Sequence, residues 1–244
     1  MPVTITCNQI DSPDWRDNAV YKLSGATDVW LISISSHIQW LDHYHGLLSA
    51  DEEQRSGRYH QQKDRERFIV SRGVLRTLLG GYLNTPAADI VFKIAPDKKP
   101  FVNPHGVNLE YNTAHSGGYI LIAIAGSPVG VDIEQMQPDF PYMDILEHSF
   151  SPLEVAHIHR ADVPLDTFYN LWTRKEALLK ATGKGIDDDM AHIPCIDGEH
   201  IIPAEIIGSN RHWLINTFNV DENYVCSVAI ESQKINVNFF NYSQ

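Results

Sequence analysis

Ser49, Glu52, Arg72 and Gly81 recur as Ser151, Glu154, Arg174 and Gly183, all at one offset of 102 residues (151 − 49). An offset held that far along a chain points to a duplicated unit if the elements around it recur in the same order. They do. The first half opens with a strand, DVWLISI (28–34), and then a polar helical start at LSADEEQR (48–55), with Ser49 as N-cap and acids in the first turn. From Lys63 to Leu83 the residues Phe68, Leu75, Leu78, Leu79 and Tyr82 recur at helical spacing, and this helix is expected to end near Gly80–Gly81, before Pro86. Strands are expected at DIVFKIA, PFVN, LEYNTA and YILIAIA. The second half repeats the order: a strand at GVDIEQ (130–135), helices starting at FSPLEVAHIHR (150–160) and spanning 166–183, then strands at HWLINTF, YVCSVAI and INVNFF. The expectation is an α+β (α/β) chain of two similar subdomains, residues 1–126 and 127–244.

The same offset lays VWLIS (29–33) on VDIEQ (131–135), so Trp30 stands opposite Asp132 and Ile32 opposite Glu134. Side chains alternate along a strand, so Asp132 and Glu134 share a face, where like charges repel unless something positive lies between them. One reading is a solvent-facing strand edge. The other is a hard divalent cation, Mg²⁺ above all, shared with a ligand's phosphates. WTRKEALLK (172–180) reads as an amphipathic helix with a Glu176–Lys180 pair at i,i+4. It also places a third carboxylate and an ammonium on the stripe that carries Trp172. TAHSGG (113–118) suits a Gly-flanked turn, structural or phosphate-contacting, and lacks the nucleophile elbow of a serine hydrolase. DKKP (97–100) reads as a basic turn and DDD (187–189) as a solvated loop, while the histidine pairs of HYH (43–45) and HIH (157–159) do not share a helix face.

A formal net charge of −12 excludes a general nucleic-acid-binding surface, so an anionic ligand needs a local basic patch. Two segments supply one: Arg55, Arg58, Lys63, Arg65, Arg67, Arg72 and Arg76, and then Arg174, Lys175, Lys180 and Lys184. No run reaches membrane-spanning length, and MPVTITCNQIDSPDW lacks the features of a signal peptide. Cys7, Cys195 and Cys226 are odd in number and widely spaced, which suits reduced thiols in the cytoplasm.

GVDIE (130–134) with WTRKEALLKATGKG (172–185), preceded by KP (99–100) and NTAHSGG (112–118), resembles the 4'-phosphopantetheinyl transferases of the Sfp type. LSADEEQRSGRY and KDRERFIVSRGVLRTLL also look like that family's first helical region, so the likeness runs from about residue 48 to about residue 186. It implies two subdomains related by a pseudo-twofold axis, with coenzyme A bound in the cleft between them. It implies Mg²⁺ held by Asp132, Glu134 and Glu176. Lys180 and His115 would contact the pyrophosphate, with Ser116 in the coenzyme A-binding set. Arg55, Arg67 and Lys99 would hold the ADP end and its 3'-phosphate, and Lys99–Pro100 would lie against the adenine. The implied reaction moves phosphopantetheine from coenzyme A to a serine of an apo acyl or peptidyl carrier protein, with Glu176, directly or through water, or else a metal-bound water as base, in a cytoplasmic monomer that needs neither nucleic acid nor membrane. Two departures stand out: the family's Ser-His-Ser reads Ala114-His115-Ser116, and its Gly-Lys-Pro reads Lys98-Lys99-Pro100. The rival expectations are a non-catalytic homologue that binds coenzyme A or a carrier, and another Mg²⁺-dependent enzyme acting on a diphosphate.

Overall fold

The structure is a computed structural model that describes residues 1–17, 20–95, 99–102, 107–185, 188–232 and 234–244. Lys98 and Asp187, named above, lie outside the described residues. The strands are β1 (Pro2–Gln9), β2 (Trp15–Arg16), β3 (Thr27–Ser33), β4 (Phe92–Ile94), β5 (Pro100–Val102), β6 (Glu110–Ser116), β7 (Tyr119–Ala125), β8 (Val129–Gln135), β9 (Gly198–Pro203), β10 (Trp213–Asp221), β11 (Tyr224–Ile230) and β12 (Val237–Asn241). The helices are α1 (Ile34–His37), α2 (Leu41–His45), α3 (Ala50–Ser56), α4 (Gln62–Leu83), α5 (Met143–Ser149), α6 (Pro152–Arg160), α7 (Pro164–Thr182) and α8 (Ala204–Ile207). Among the described residues no helix is long and apolar enough to cross a membrane.

The 102-residue offset is built into the elements. β3 and β8 correspond at both ends, and α3 with α6 and α4 with α7 correspond at their first residues. The equivalent strands also pair alike: β3-β7-β6 lie side by side in one five-stranded sheet and β8-β11-β10 in the other. Both short helices open with a capping box, in which Glu52 Oε2 accepts the Ser49 N–H at 3.0 Å and Glu154 Oε2 accepts the Ser151 N–H at 2.9 Å.

Both glutamates are then buried under the longer helix and need cations there. Glu52 receives Arg76 at 2.7 Å and Arg72 at 3.0 Å, while Glu154 receives Lys175 at 2.9 Å. The Gly81/Gly183 identity is different in kind. Gly183, at φ +77°, ends α7 in the left-handed conformation. Gly81 lies inside α4, which runs on to Leu83 and is capped by Asn84 at φ 49°. A Cβ at Gly81 would stand 2.6 Å from the Tyr21 ring, so packing, not helix termination, calls for the missing side chain.

The termini exchange partners. β1 pairs in parallel with β10, and β12 in parallel with β3, so each sheet takes in a strand from the far end of the chain. A division into 1–126 and 127–244 makes no provision for this exchange. The complete orders are β8-β11-β10-β1-β9 and β2-β12-β3-β7-β6, with β4-β5 as a separate hairpin.

Alternation along the strands builds three cores. Trp30, Ile32, Ile120, Ile122 and Ile124 face α4. Val29, Leu31, Leu121, Ala123, Val129, Val131, Ile133, Cys226 and Val228 meet between the two sheets. Val225, Ala229 and Ile215 join Phe168, Leu171, Leu178 and Leu179 of α7.

α7 lies closer on its sheet than α4 does on the other. The reason is Gly130, where a Cβ would come within 2.1 Å of Ala177 O and 2.4 Å of Ala181 N. Gly130→Ala is therefore expected to destabilise the fold by ~3 kcal/mol, read by urea denaturation. Lys175→Met leaves Glu154 charged in a dry interior and is expected to lose about 3–5 kcal/mol. Adding Glu154→Gln to Lys175→Met should recover part of that loss, checked by a double-mutant cycle.

Candidate functional site

Because Gly130 admits the backbone of α7, the next residues on the same face of β8, Asp132 and Glu134, are pressed beside that helix. α7 meets them with Glu176 and Lys180. At the same offset the first half has Trp30, Ile32, Val74 and Leu78, all buried in its helix-facing core. Where the first half has these four apolar side chains, the second has three carboxylates and an ammonium. Asp132 is buried, and its Oδ1 accepts from Lys180 Nζ at 2.6 Å. Its Oδ2 is buried with no hydrogen-bond partner.

The carboxylates disturb one another. Burial is the largest cause for each, and it pushes all three upward. Glu134 reaches about 7, with Asp132 and Glu176 adding repulsion and Ser116 and Lys180 opposing it. Glu176 is raised by burial and by Asp132, against Lys180. Asp132 is raised by burial alone, and Lys180 and the Ile133 N–H hold it down. One ammonium does not balance three acids.

Among the described residues, no three His, Cys, Asp or Glu side chains already form a group able to hold a metal ion. The expected set Asp132, Glu134 and Glu176 is adjacent and mutually repelling, with Lys180 on Asp132. The chemistry of the set still suits a hard divalent cation: every donor is a carboxylate oxygen, and Asp132 Oδ2 is an orphaned acceptor in a dry site. The histidine pairs His43/His45 and His157/His159 join no such group either.

The other half reaches over this cluster. His115 is shifted down, first by partial removal from water, then by the positive charge of Arg67 and, more weakly, by that of Lys180. Arg67 itself pairs with Asp64 at 2.9 Å. Arg55 is exposed, with its guanidinium over the Phe68 ring at 5.3 Å. Lys99 Nζ donates to Val129 O and to Ala181 O, both at 3.3 Å, and so ties β8 to the C-terminal end of α7, where a cation is favoured. Pro100 is half-buried at the start of β5. Trp172 stacks on Phe168 at 5.9 Å and packs into the core instead of standing free beside Glu176. Ala114 is buried between the sheets, so the missing hydroxyl at this position would have entered an apolar core.

Two contributors were not anticipated from sequence. Gly130 sets the helix–strand distance, and a glycine inside a strand was its available signal. Ser116, in the coenzyme A-binding set that the resemblance implies, donates its hydroxyl to Glu134 Oε2 at 2.9 Å and accepts from the Gln135 N–H at 3.0 Å.

Residues 128–229 match the 4'-phosphopantetheinyl transferase superfamily, and residues 35–127 match the N-terminal region of 4'-phosphopantetheinyl transferases. A Synechocystis sp. protein, named provisionally as a 4'-phosphopantetheinyl transferase, is 32% identical over 212 residues, covering 82% of this chain and 85% of its own. The 4'-phosphopantetheinyl transferase HetI of Nostoc sp. is 28% identical over 226 residues, covering 90% of this chain and 94% of its own. The 4'-phosphopantetheinyl transferase Sfp of Bacillus subtilis is 26% identical over 193 residues, covering 77% and 84%.

Proposed function

The chain belongs to the 4'-phosphopantetheinyl transferase superfamily, and on that premise we propose that it transfers the phosphopantetheine arm of coenzyme A to a serine of an apo acyl or peptidyl carrier protein, releasing 3',5'-ADP. The observation that carries this reading is the replacement of Trp30, Ile32, Val74 and Leu78 by Asp132, Glu134, Glu176 and Lys180 at equivalent positions of the second half. Nothing structural is gained by placing three acids where the first half has a close-packed core, so the exchange serves a ligand.

In this reading Asp132, Glu134 and Glu176 hold Mg²⁺, which when bound neutralises charge on the coenzyme A pyrophosphate. Lys180 binds pyrophosphate oxygens, and it leaves its Asp132 partner to do so. His115 lies beside Lys180 and Arg67 and contacts the same anion, while Arg67, Arg55 and Lys99 hold the ADP end and Pro100 lies against the adenine. The attacking serine oxygen forms a bond to phosphorus as the bond to the ADP oxygen breaks, and the serine proton must leave during the attack. Glu176 takes it. Without a bound cation, burial and the Asp132 charge hold its carboxyl above the ordinary range. We place the reaction in the cytoplasm and the active protein as a monomer. Ala114 gives no support to a non-catalytic homologue, because its side chain is part of the inter-sheet core.

Incubation with coenzyme A, Mg²⁺ and a panel of apo carrier proteins, read by intact mass, is expected to show one phosphopantetheine adduct on at least one carrier. No adduct on any of them would overturn the reading. Asp132→Ala and Glu176→Ala are each expected to slow transfer at least ~100-fold while keeping the native circular dichroism spectrum. Full activity in both would remove the cation and base assignments.

A further inference from the structure

β8 is the outer strand of its sheet, so its outward N–H groups find no partner in that sheet. Two of them are met by side chains of β6. The Val131 N–H donates to Asn112 Oδ1 at 3.0 Å and the Gln135 N–H to Ser116 Oγ at 3.0 Å. Asn112 and Ser116 lie four residues apart on β6, on one face, with Ala114 between them. As strand-edge partners the two are alike, but Ser116 does one thing more. Its O–H donates to Glu134 Oε2 at 2.9 Å.

We propose that Ser116 is a positioning residue for Glu134: oriented by the Gln135 N–H, its hydroxyl holds the Glu134 carboxylate beside Asp132 and Glu176 and so shapes the cation site from behind. The one O–H of Ser116 donates its hydrogen bond to Glu134, which leaves no donor for a phosphate oxygen of coenzyme A. Its backbone is fixed as well. The Gly118 N–H donates to the Tyr224 hydroxyl at 3.0 Å. Gly117, at φ +50°, leaves no room for a side chain, since a Cβ there would stand 2.1 Å from that same hydroxyl oxygen. The turn after β6 is therefore held by β11, and Ser116 meets Glu134 at a set distance. His115, its neighbour, lies on the alternate face of β6 and feels the charges of Arg67 and Lys180. The inference rests on the cation reading above and assigns this hydroxyl to the protein's own ligand instead of the co-substrate.

The test is direct titration of the purified chain with Mn²⁺, followed by electron paramagnetic resonance without coenzyme A or carrier, alongside the KM for coenzyme A at saturating Mg²⁺. Ser116→Ala is expected to bind Mn²⁺ about 10-fold or more weakly, as losses around a metal ligand do, and to keep the KM for coenzyme A. Ser116→Thr is expected to restore the affinity. Asn112→Ala removes the equivalent edge contact without touching a carboxylate, and is expected to lower the melting temperature while leaving Mn²⁺ affinity unchanged. Equal weakening in Ser116→Ala and Asn112→Ala would reduce Ser116 to a strand-edge contact and overturn the proposal. Unchanged Mn²⁺ affinity in Ser116→Ala would overturn it too, and a raised KM beside that would return Ser116 to coenzyme A. If the wild-type chain binds no Mn²⁺, the cation reading itself fails and this inference falls with it.

Discussion

The backbone of α7 touches the backbone of β8 at Gly130, and the rest of the site depends on that contact. A helix lying on a sheet is normally held off by side chains from both. Here one position has none, so the helix comes down at that point and its axis is fixed relative to the strand. The residues one and two strand repeats further on, Asp132 and Glu134, then meet Glu176 and Lys180 at contact range instead of across a packed layer. In the first half Asp28 occupies the position equivalent to Gly130, Trp30 and Ile32 fill the space beyond it, and α4 stands further from its strands. The two halves share a common unit and set its helix at different distances from the sheet.

That difference has an energetic side. Each large buried apolar side chain contributes roughly 1.5–3 kcal/mol to folding. The second half gives up four such positions and takes on a buried Asp132 with an unpartnered oxygen. It stays folded because α7 is held along the rest of its length. Arg174 donates to Thr217, to Cys195 O and to Asp197, and Lys175 donates to Glu154, Met190 O and Ile193 O. Phe168, Leu171, Leu178 and Leu179 add an apolar anchor. Buried ion pairs of this kind contribute little net stability, but breaking one leaves an uncompensated charge, so α7 is held where both partners meet. Positional rigidity is what a cluster of repelling carboxylates needs.

Much of this was legible in the sequence, and the limits have physical causes. Periodicity placed α4 and α7, and the offset placed Trp30 and Ile32 opposite Asp132 and Glu134, because helix and strand repeats are local properties of the chain. Gly81 looks like a helix stop in sequence, yet α4 runs on to Leu83, because this glycine packs closely against Tyr21, more than fifty residues away in the chain. β1 carries plain alternation in Val3, Ile5 and Cys7, but its parallel partner β10 lies at the other end of the sequence, and no local pattern names a partner. The link from Ser116 to Glu134 is of the same kind, since a hydroxyl next to a histidine in a glycine-flanked turn gives no sign of which carboxylate it will meet.

Why the acids occupy β8 and not β3 follows from where the terminal strands were added. The common unit is β3-β7-β6 in one sheet and β8-β11-β10 in the other. β12 pairs alongside β3, which makes β3 an interior strand flanked on both sides. β1 pairs alongside β10 instead, at the opposite end of its sheet, so β8 keeps one edge unpaired by any strand of that sheet. An interior strand flanked on both sides and covered by a helix is sealed, and charges placed on it would have no access to a ligand. An edge strand keeps an open side. β6 comes against that side with side chains instead of a strand ladder, through Asn112 and Ser116, and it carries His115 on its other face. Lys99 crosses from the same half to bind Val129 O and Ala181 O. The site therefore belongs to the second half by its acids and to the first by its rim, and the unequal placement of two terminal strands decides which half holds it.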